Sequence, residues 1–269
     1  MTQRFSRDPE ITGVQIETHF VRYRNVLLAE ADFTGLFVDY YLHLVDHGLQ
    51  VQAEGDALFK QGLAAFTLHC ASRPRNEMVA WTINFQTPLI NVFLAGDNEP
   101  STVTGRDFDE NVRVAEHGLF FSDVVRGRSP VHRSTISFAD GNPFEVVERY
   151  YRQSEQRVAR FIHLGDDRFM LLTSHPDCDL KWLESMDEDA LRELDTHETL
   201  APIERRSYAW FCGCSQRKIL KILAPTMRAD ADGLFAGEDS LRLNCPRCGA
   251  RHLVTREALE AFVAAQDGN

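Results

Sequence analysis

Four cysteines constrain this chain more than any other feature of it. Cys212-Gly213-Cys214 is followed, after thirty intervening residues, by Cys245-Pro246-Arg247-Cys248. Two close thiol pairs at this separation suit a tetrahedral soft metal, zinc above all, because thiolate sulfur is the ligand of its closed sites. Cys-Pro-x-Cys-Gly is a common metal knuckle: the turn aims both sulfurs inward, and Gly249 permits a tight backbone approach. The Cys-x-Cys half is expected to be extended, so that residues two apart project to the same side. A disulfide scaffold is the competing reading. The N-terminus MTQRFSRDPEITG lacks the apolar core of a secretory signal, and no run approaches eighteen apolar residues. A soluble cytoplasmic protein is therefore expected, in a compartment that keeps thiols reduced and disfavours such a scaffold.

A tetrathiolate site is also a store of nucleophilic sulfur, since metal binding requires the deprotonated form. Oxidants attack thiolates, and each pair is close enough for a local disulfide, strained in the small ring that Cys-x-Cys would close. The spacing thus permits a redox switch. It does not demand one, and the spacing by itself favours a structural zinc site.

Charge divides the chain around these cysteines. The whole carries a formal −11, which argues against broad nucleic-acid or anionic-membrane binding. Residues 205–256 nevertheless carry +6, and residues 1–204 carry −14. Between them, residues 187–198 hold six acids against Arg192, with only Leu191 and Leu194 as an apolar stripe. Ser185 and Glu188 form a capping-box pattern ahead of this stretch. It reads either as a marginally stable linker helix running into an extended Ala201-Pro202 segment, or as a surface helix of the core. The opposed charges also suggest an electrostatic latch.

Upstream, the fold class is legible from periodicity. His19–Phe33 reads as a strand, and Phe37, Tyr41, Leu44 and Val45 then recur at helical spacing. Phe59, Leu63, Phe66 and Cys70 mark a second helix, ended by Arg73-Pro74. Val79, Trp81, Ile83 and Phe85 alternate as a half-buried strand, and strand-like pieces continue to Phe138. A helix across FEVVERYYRQSEQ precedes strands at roughly 158–164 and 168–173. Helices and a mostly antiparallel sheet in separate stretches predict an α+β fold. The expected organisation is a core of residues 1–180, an acidic helical linker at 181–206, and a small zinc-binding domain at 207–269.

Tyr151-Arg152-Gln153-Ser154-Glu155-Gln156, together with CGCSQRK from Cys212 and CPRCGARHLVTREAL from Cys245, resembles the redox-regulated 33 kDa heat-shock chaperones. The resemblance spans residues 76–269 and is most specific over 150–269. It implies that Cys212, Cys214, Cys245 and Cys248 hold one zinc ion per chain when reduced, with low activity. It further implies that oxidation forms Cys212–Cys214 and Cys245–Cys248, releases zinc and unfolds the linker. The exposed apolar surface would then hold unfolding client proteins without ATP, as a stress response and often as a homodimer. The chain departs from the family pattern at Phe85-Gln86-Thr87-Pro88, where a glycine-rich turn is usual.

The remaining candidates read more plainly. Cys70 is expected in the core, and Cys178 of His175-Pro176-Asp177-Cys178-Asp179 in a turn after the last core strand. His252 is expected to be solvated. No Gly-rich phosphate loop, nucleophile elbow or His-Glu-x-x-His segment occurs, so no catalytic residue is assigned and no enzyme is expected. The alternative function is a constitutive zinc-containing interaction module. A thiol oxidoreductase using the Cys-Pro-Arg-Cys pair lacks a βαβ setting.

Overall fold

The computed structural model describes residues 12–139 and 141–267. Its contacts separate into two compact units, one of residues up to Leu42 with Val51–Phe211, the other of His43–Gln50 with Cys212–Asn269.

The large unit begins with β1 (Val14–Val21) and β2 (Val26–Asp32), an antiparallel hairpin. The single strand expected over His19–Phe33 is therefore broken. Tyr23 and Asn25 adopt positive φ (66° and 52°), which turns the chain at Arg22-Tyr23-Arg24-Asn25, a polar break inside the expected strand. Next come α1 (Thr34–Asp46) and α2 (Ala53–Ala71). In α2 the four residues at helical spacing, Phe59, Leu63, Phe66 and Cys70, are wholly buried. In α1 the buried face is Leu36, Phe37, Tyr40 and Leu44, whereas Tyr41 and Val45 of the expected set stand in solvent.

Five strands follow: β3 (Glu77–Asn84), β4 (Asn91–Asp97), β5 (Thr102–Phe108), β6 (Gly118–Arg126), which crosses back to pair with β3, and β7 (His132–Phe138). In β3 Val79, Trp81 and Ile83 face the core, as their alternation requires. Helix α3 (Pro143–Tyr150) opens with an Asn142–Glu145 capping box and passes into a π-helical turn over Tyr151–Glu155. Strands β8 (Ala159–Gly165) and β9 (Arg168–Ser174) form the next hairpin. Three short helices, α4 (Leu180–Ser185), α5 (Glu188–Arg192) and α6 (Leu194–His197), lead into β10 (Leu200–Trp210).

Among the described residues, ten strands form one sheet in the order β7-β6-β3-β4-β5-β10-β1-β2-β9-β8. Every pairing is antiparallel except β5 with β10. Strand β10 thus joins a four-stranded half to a five-stranded one. The protein is α+β with a mostly antiparallel sheet. Residues 181–206 hold most of α4, then α5, α6 and the start of β10, and Leu183, Leu191 and Leu194 are buried against Leu28, Ile162 and Leu172.

An ionic cluster fixes the π-helical turn. Glu77 is fully buried and accepts hydrogen bonds from Arg73 (2.7 Å) and Arg126 (2.5 Å). Arg73 also reaches Glu155 (3.0 Å), which accepts from the Tyr150 hydroxyl (2.7 Å). A buried charge is tolerable when paired and hydrogen-bonded in this way. The Tyr-Arg-Gln-Ser-Glu-Gln stretch singled out in the sequence is therefore a structural junction, closed by Gln156 in the left-handed conformation (φ 55°).

In the small unit α7 (Gln216–Ala229), α8 (Ala231–Phe235) and α9 (Arg256–Asp267) pack with the hairpin of β11 (Ser240–Asn244) and β12 (Arg251–Thr255). Its core centres on Met227, Phe235, Val254 and Leu259. Among the described residues no helix is long and apolar enough to cross a membrane.

Candidate metal centre

The two cysteine pairs reach one point by two different turns. After β10 the segment Cys212-Gly213-Cys214 is not extended: Gly213 adopts φ 68°, a left-handed conformation that a residue with a Cβ takes only at a cost. That bend, rather than strand alternation, brings Cys212 and Cys214 together. The Lys218 ammonium donates to the Gly213 carbonyl at 2.5 Å, and Ser215 caps α7 directly behind it. The second pair lies in the β11–β12 connection. Gly249 (φ 74°) donates to the Cys245 carbonyl at 2.9 Å, and the Cys245 amide donates to the Ala250 carbonyl at 2.8 Å. This is the expected knuckle, with glycine where the backbone turns left-handed.

All four Sγ atoms lie within 4.8 Å of one another. The Cys212–Cys245 and Cys214–Cys248 sulfur separations are each 3.6 Å. Sulfurs bound to zinc at about 2.3 Å in a tetrahedron stand about 3.8 Å apart, so the donor set and its spacing fit that ion. Cys245 and Cys248 are buried with Ala250, while Cys212 and Cys214 are half-buried. Both short separations cross between the pairs, so the reduced geometry does not itself select disulfide partners.

Crowded thiols share protons unequally. Hydrogen bonding from Cys248 lowers the Cys212 thiol to about 5. Burial, followed by the Cys212 charge, raises Cys214 to about 12. The hydrogen bond to Cys212, with burial, raises Cys248 further still. The Cys212 thiolate thus forms readily, and a cation is needed before Cys214 and Cys248 follow.

Sequence reasoning missed the shell around the sulfurs. His43 Nε2 donates to the Cys248 carbonyl at 2.9 Å, and burial lowers its pKa, favouring the neutral ring. Arg251 donates to the Gly48 carbonyl at 2.9 Å. Residues 43–50 therefore belong to the cysteine-bearing unit although they are more than 160 residues away in sequence. No local motif signals them. His252, expected to be solvated, is half-buried: its Nε2 is enclosed, and its ring lies 6.0 Å from that of His47.

The other two thiols stand apart from this centre. Cys70 is buried in α2 and burial raises its pKa. Cys178 lies in the turn after β9, half-buried against the core, its pKa raised by burial and then by Asp179. Among the described residues, the four clustered cysteines are the one group of three or more potential ligands this close together.

No family model matches the chain. It is 23% identical over 245 residues to the 33 kDa chaperonin of Aliivibrio salmonicida, covering 77% of this chain and 82% of that protein. Its fold is similar to the crystal structure of the 33 kDa chaperonin (heat shock protein 33 homolog) of Thermotoga maritima, with TM-score 0.68 and 13% identity. That match covers 95% of this chain and 99% of the other. The sequence match supports the family that the cysteine and Tyr-Arg-Gln-Ser-Glu-Gln motifs resemble, and the structural match shows that the fold is shared.

Proposed function

We propose that this chain is a chaperone of the 33 kDa type, an ATP-independent holdase switched on by oxidation. The observation that carries the reading is the four-sulfur cluster, found in a chain whose sequence and fold both resemble 33 kDa chaperonins. Zinc, when bound, supplies the positive charge that keeps all four sulfurs as thiolates and much of the folding energy of the domain around them. In that state Gly213, Gly249 and the His43 hydrogen bond hold the sulfurs convergent. Oxidation to Cys212–Cys214 and Cys245–Cys248 consumes the thiolates, the ligand set is lost, and residues 181–206 with the small domain unfold. The apolar surface uncovered binds unfolding clients in the cytoplasm, with a homodimer as the oxidised form. The role is binding rather than catalysis.

Zinc content and suppression of aggregation of a heat-unfolded reporter protein, measured before and after hypochlorite treatment, test this reading. One zinc per reduced chain, lost on oxidation together with a rise in holdase activity and restored by dithiothreitol plus zinc, is expected. Zinc retained through oxidation overturns the switch. The basic balance of residues 205–256 favours a second reading, a constitutive zinc-containing module for an acidic partner. Cys245→Ser separates the two: it should weaken zinc binding and partly activate a switched holdase, but abolish binding by a constitutive module.

A further inference from the structure

The cysteine centre opens onto a groove of about 380 Å³ within the small unit. Cys212, Cys214 and Cys245 line it, whereas Cys248 does not and is almost fully buried. Ile219 and Ile222 of α7 form one wall, with Leu243 and Pro246 opposite. Ile222 is 73% exposed, a large apolar side chain left in solvent beside reactive sulfur. Two cations, Lys218 and Arg247, also line the groove, and no Asp or Glu does.

Hydrogen peroxide, small and uncharged, gains nothing from apolar walls or from cations, and hypochlorite gains only from the cations. An occupant that uses every part of this groove has an apolar chain, an anionic end and a group that reacts with thiolate. We propose that the groove selects the oxidant, and that its occupant is a free fatty-acid hydroperoxide. The tail lies between the α7 wall and Leu243-Pro246, and the carboxylate is held by Lys218 and Arg247. This rests on the reading of the four cysteines as redox thiols.

The chemistry balances without another reagent. A thiolate in the groove attacks the terminal peroxide oxygen, the O–O bond breaks, and the alkoxide takes a proton and leaves as the hydroxy fatty acid. The sulfenic acid formed is attacked by a second cysteine sulfur, an S–S bond forms, and hydroxide leaves as water. Each hydroperoxide accepts two electrons, so two per chain convert four thiols into two disulfides.

The test follows zinc release with a chromogenic chelator, and alkylation of the remaining thiols by mass spectrometry, in the full-length reduced chain. The oxidants are linoleic acid hydroperoxide below its micellar concentration and uncharged tert-butyl hydroperoxide. Linoleic acid hydroperoxide is expected to act about tenfold faster, since burying even a few methylenes is enough for that. Its rate should saturate, and unoxidised linoleic acid should compete. Ile222→Glu and Arg247→Gln, both at exposed side chains and checked for full zinc content, should remove the advantage while leaving the tert-butyl hydroperoxide rate unchanged. Equal rates for the two oxidants, or no effect of either substitution, overturn the groove while leaving the switch intact. Equally fast oxidation by phosphatidylcholine vesicles carrying phospholipid hydroperoxide overturns the free fatty acid as the source. If no peroxide releases zinc while hypochlorite does, the groove proposal fails and the switch stands; if hypochlorite releases none either, the redox reading itself fails.

Discussion

A single histidine shows how the core constrains protonation. His69 is fully buried in α2, its Nδ1 2.6 Å from the Tyr151 hydroxyl. Burial, then the charges of Arg73 and Arg157, lower its pKa well below 6.5. In the unfolded chain the ring titrates near 6.5, so below that pH the unfolded state binds the extra proton and the fold is penalised. This contribution to stability is complete above about pH 6.5 and is lost as pH falls, with a slope of up to about 1.4 kcal/mol per unit. Urea unfolding at pH 7.5 and 5.5 should show that loss, and His69→Asn should flatten it while lowering stability at both values. An unchanged slope would show that other groups carry the acid sensitivity. The cysteine centre has its own proton balance. With Cys214 raised to about 12 and Cys248 higher, zinc uptake by the reduced apoprotein at pH 7.5 must displace at least their two protons. Zinc affinity should therefore rise with pH. Titration calorimetry in buffers of different ionisation enthalpy measures the release, and a value near zero contradicts the shared-proton description.

The segment between β9 and β10 is built from very short elements. Helices α4, α5 and α6 have six, five and four residues, too few to be stable by backbone bonding alone. They are held by the Asp179 and Asp187 caps and by Leu183, Leu191 and Leu194 in the core. Leu191→Ala should cost about 2–5 kcal/mol, and the loss should act first on these helices. In the reduced, zinc-loaded protein it should make residues 181–206 the first site of limited proteolysis, with β3 and β6 still protected. Cleavage no faster than in the parent chain would remove them as a labile element. The same stretch marks what periodicity alone reveals. Helix α2 was legible because its four buried positions keep strict helical spacing. In α1 the adjacent Tyr40 and Tyr41 offered two possible faces, and the choice depends on Phe59 and Trp210, whose rings lie 4.6 and 5.4 Å from Tyr40. Strand β10 looked merely extended near Ala201-Pro202. Its partners, β1 and β5, lie some 190 and 105 residues earlier, and Pro202 fits because it stands opposite His19, where the register shifts. At the metal centre the four ligands were legible as a local motif, while the Gly213 bend and the His43 hydrogen bond arise from backbone geometry and a distant helix end.

The two units differ in what holds them together. The large one buries its apolar residues on a ten-stranded sheet, with Trp81, Phe59, Phe66 and Phe120 fully enclosed. Among the described residues, the small one has four buried residues in its apolar core and a second cluster made largely of the cysteines themselves. Units of this size have little apolar area to offset chain entropy and depend on a metal or a similar staple. Structural zinc contributes about 10–16 kcal/mol to folding in small zinc modules, more than such a core supplies on its own. Removing zinc with a chelator under reducing conditions should therefore unfold the small unit without any oxidant. In hydrogen exchange, residues 212–267 should lose protection, and residues 43–50 should lose it with them, because their bonds run to the Cys248 carbonyl and from Arg251. Strands β3 and β6 should remain protected. Loss confined to residues 212–267 would place 43–50 with the sheet instead, and retained protection throughout would mean that the small unit folds on its apolar core alone.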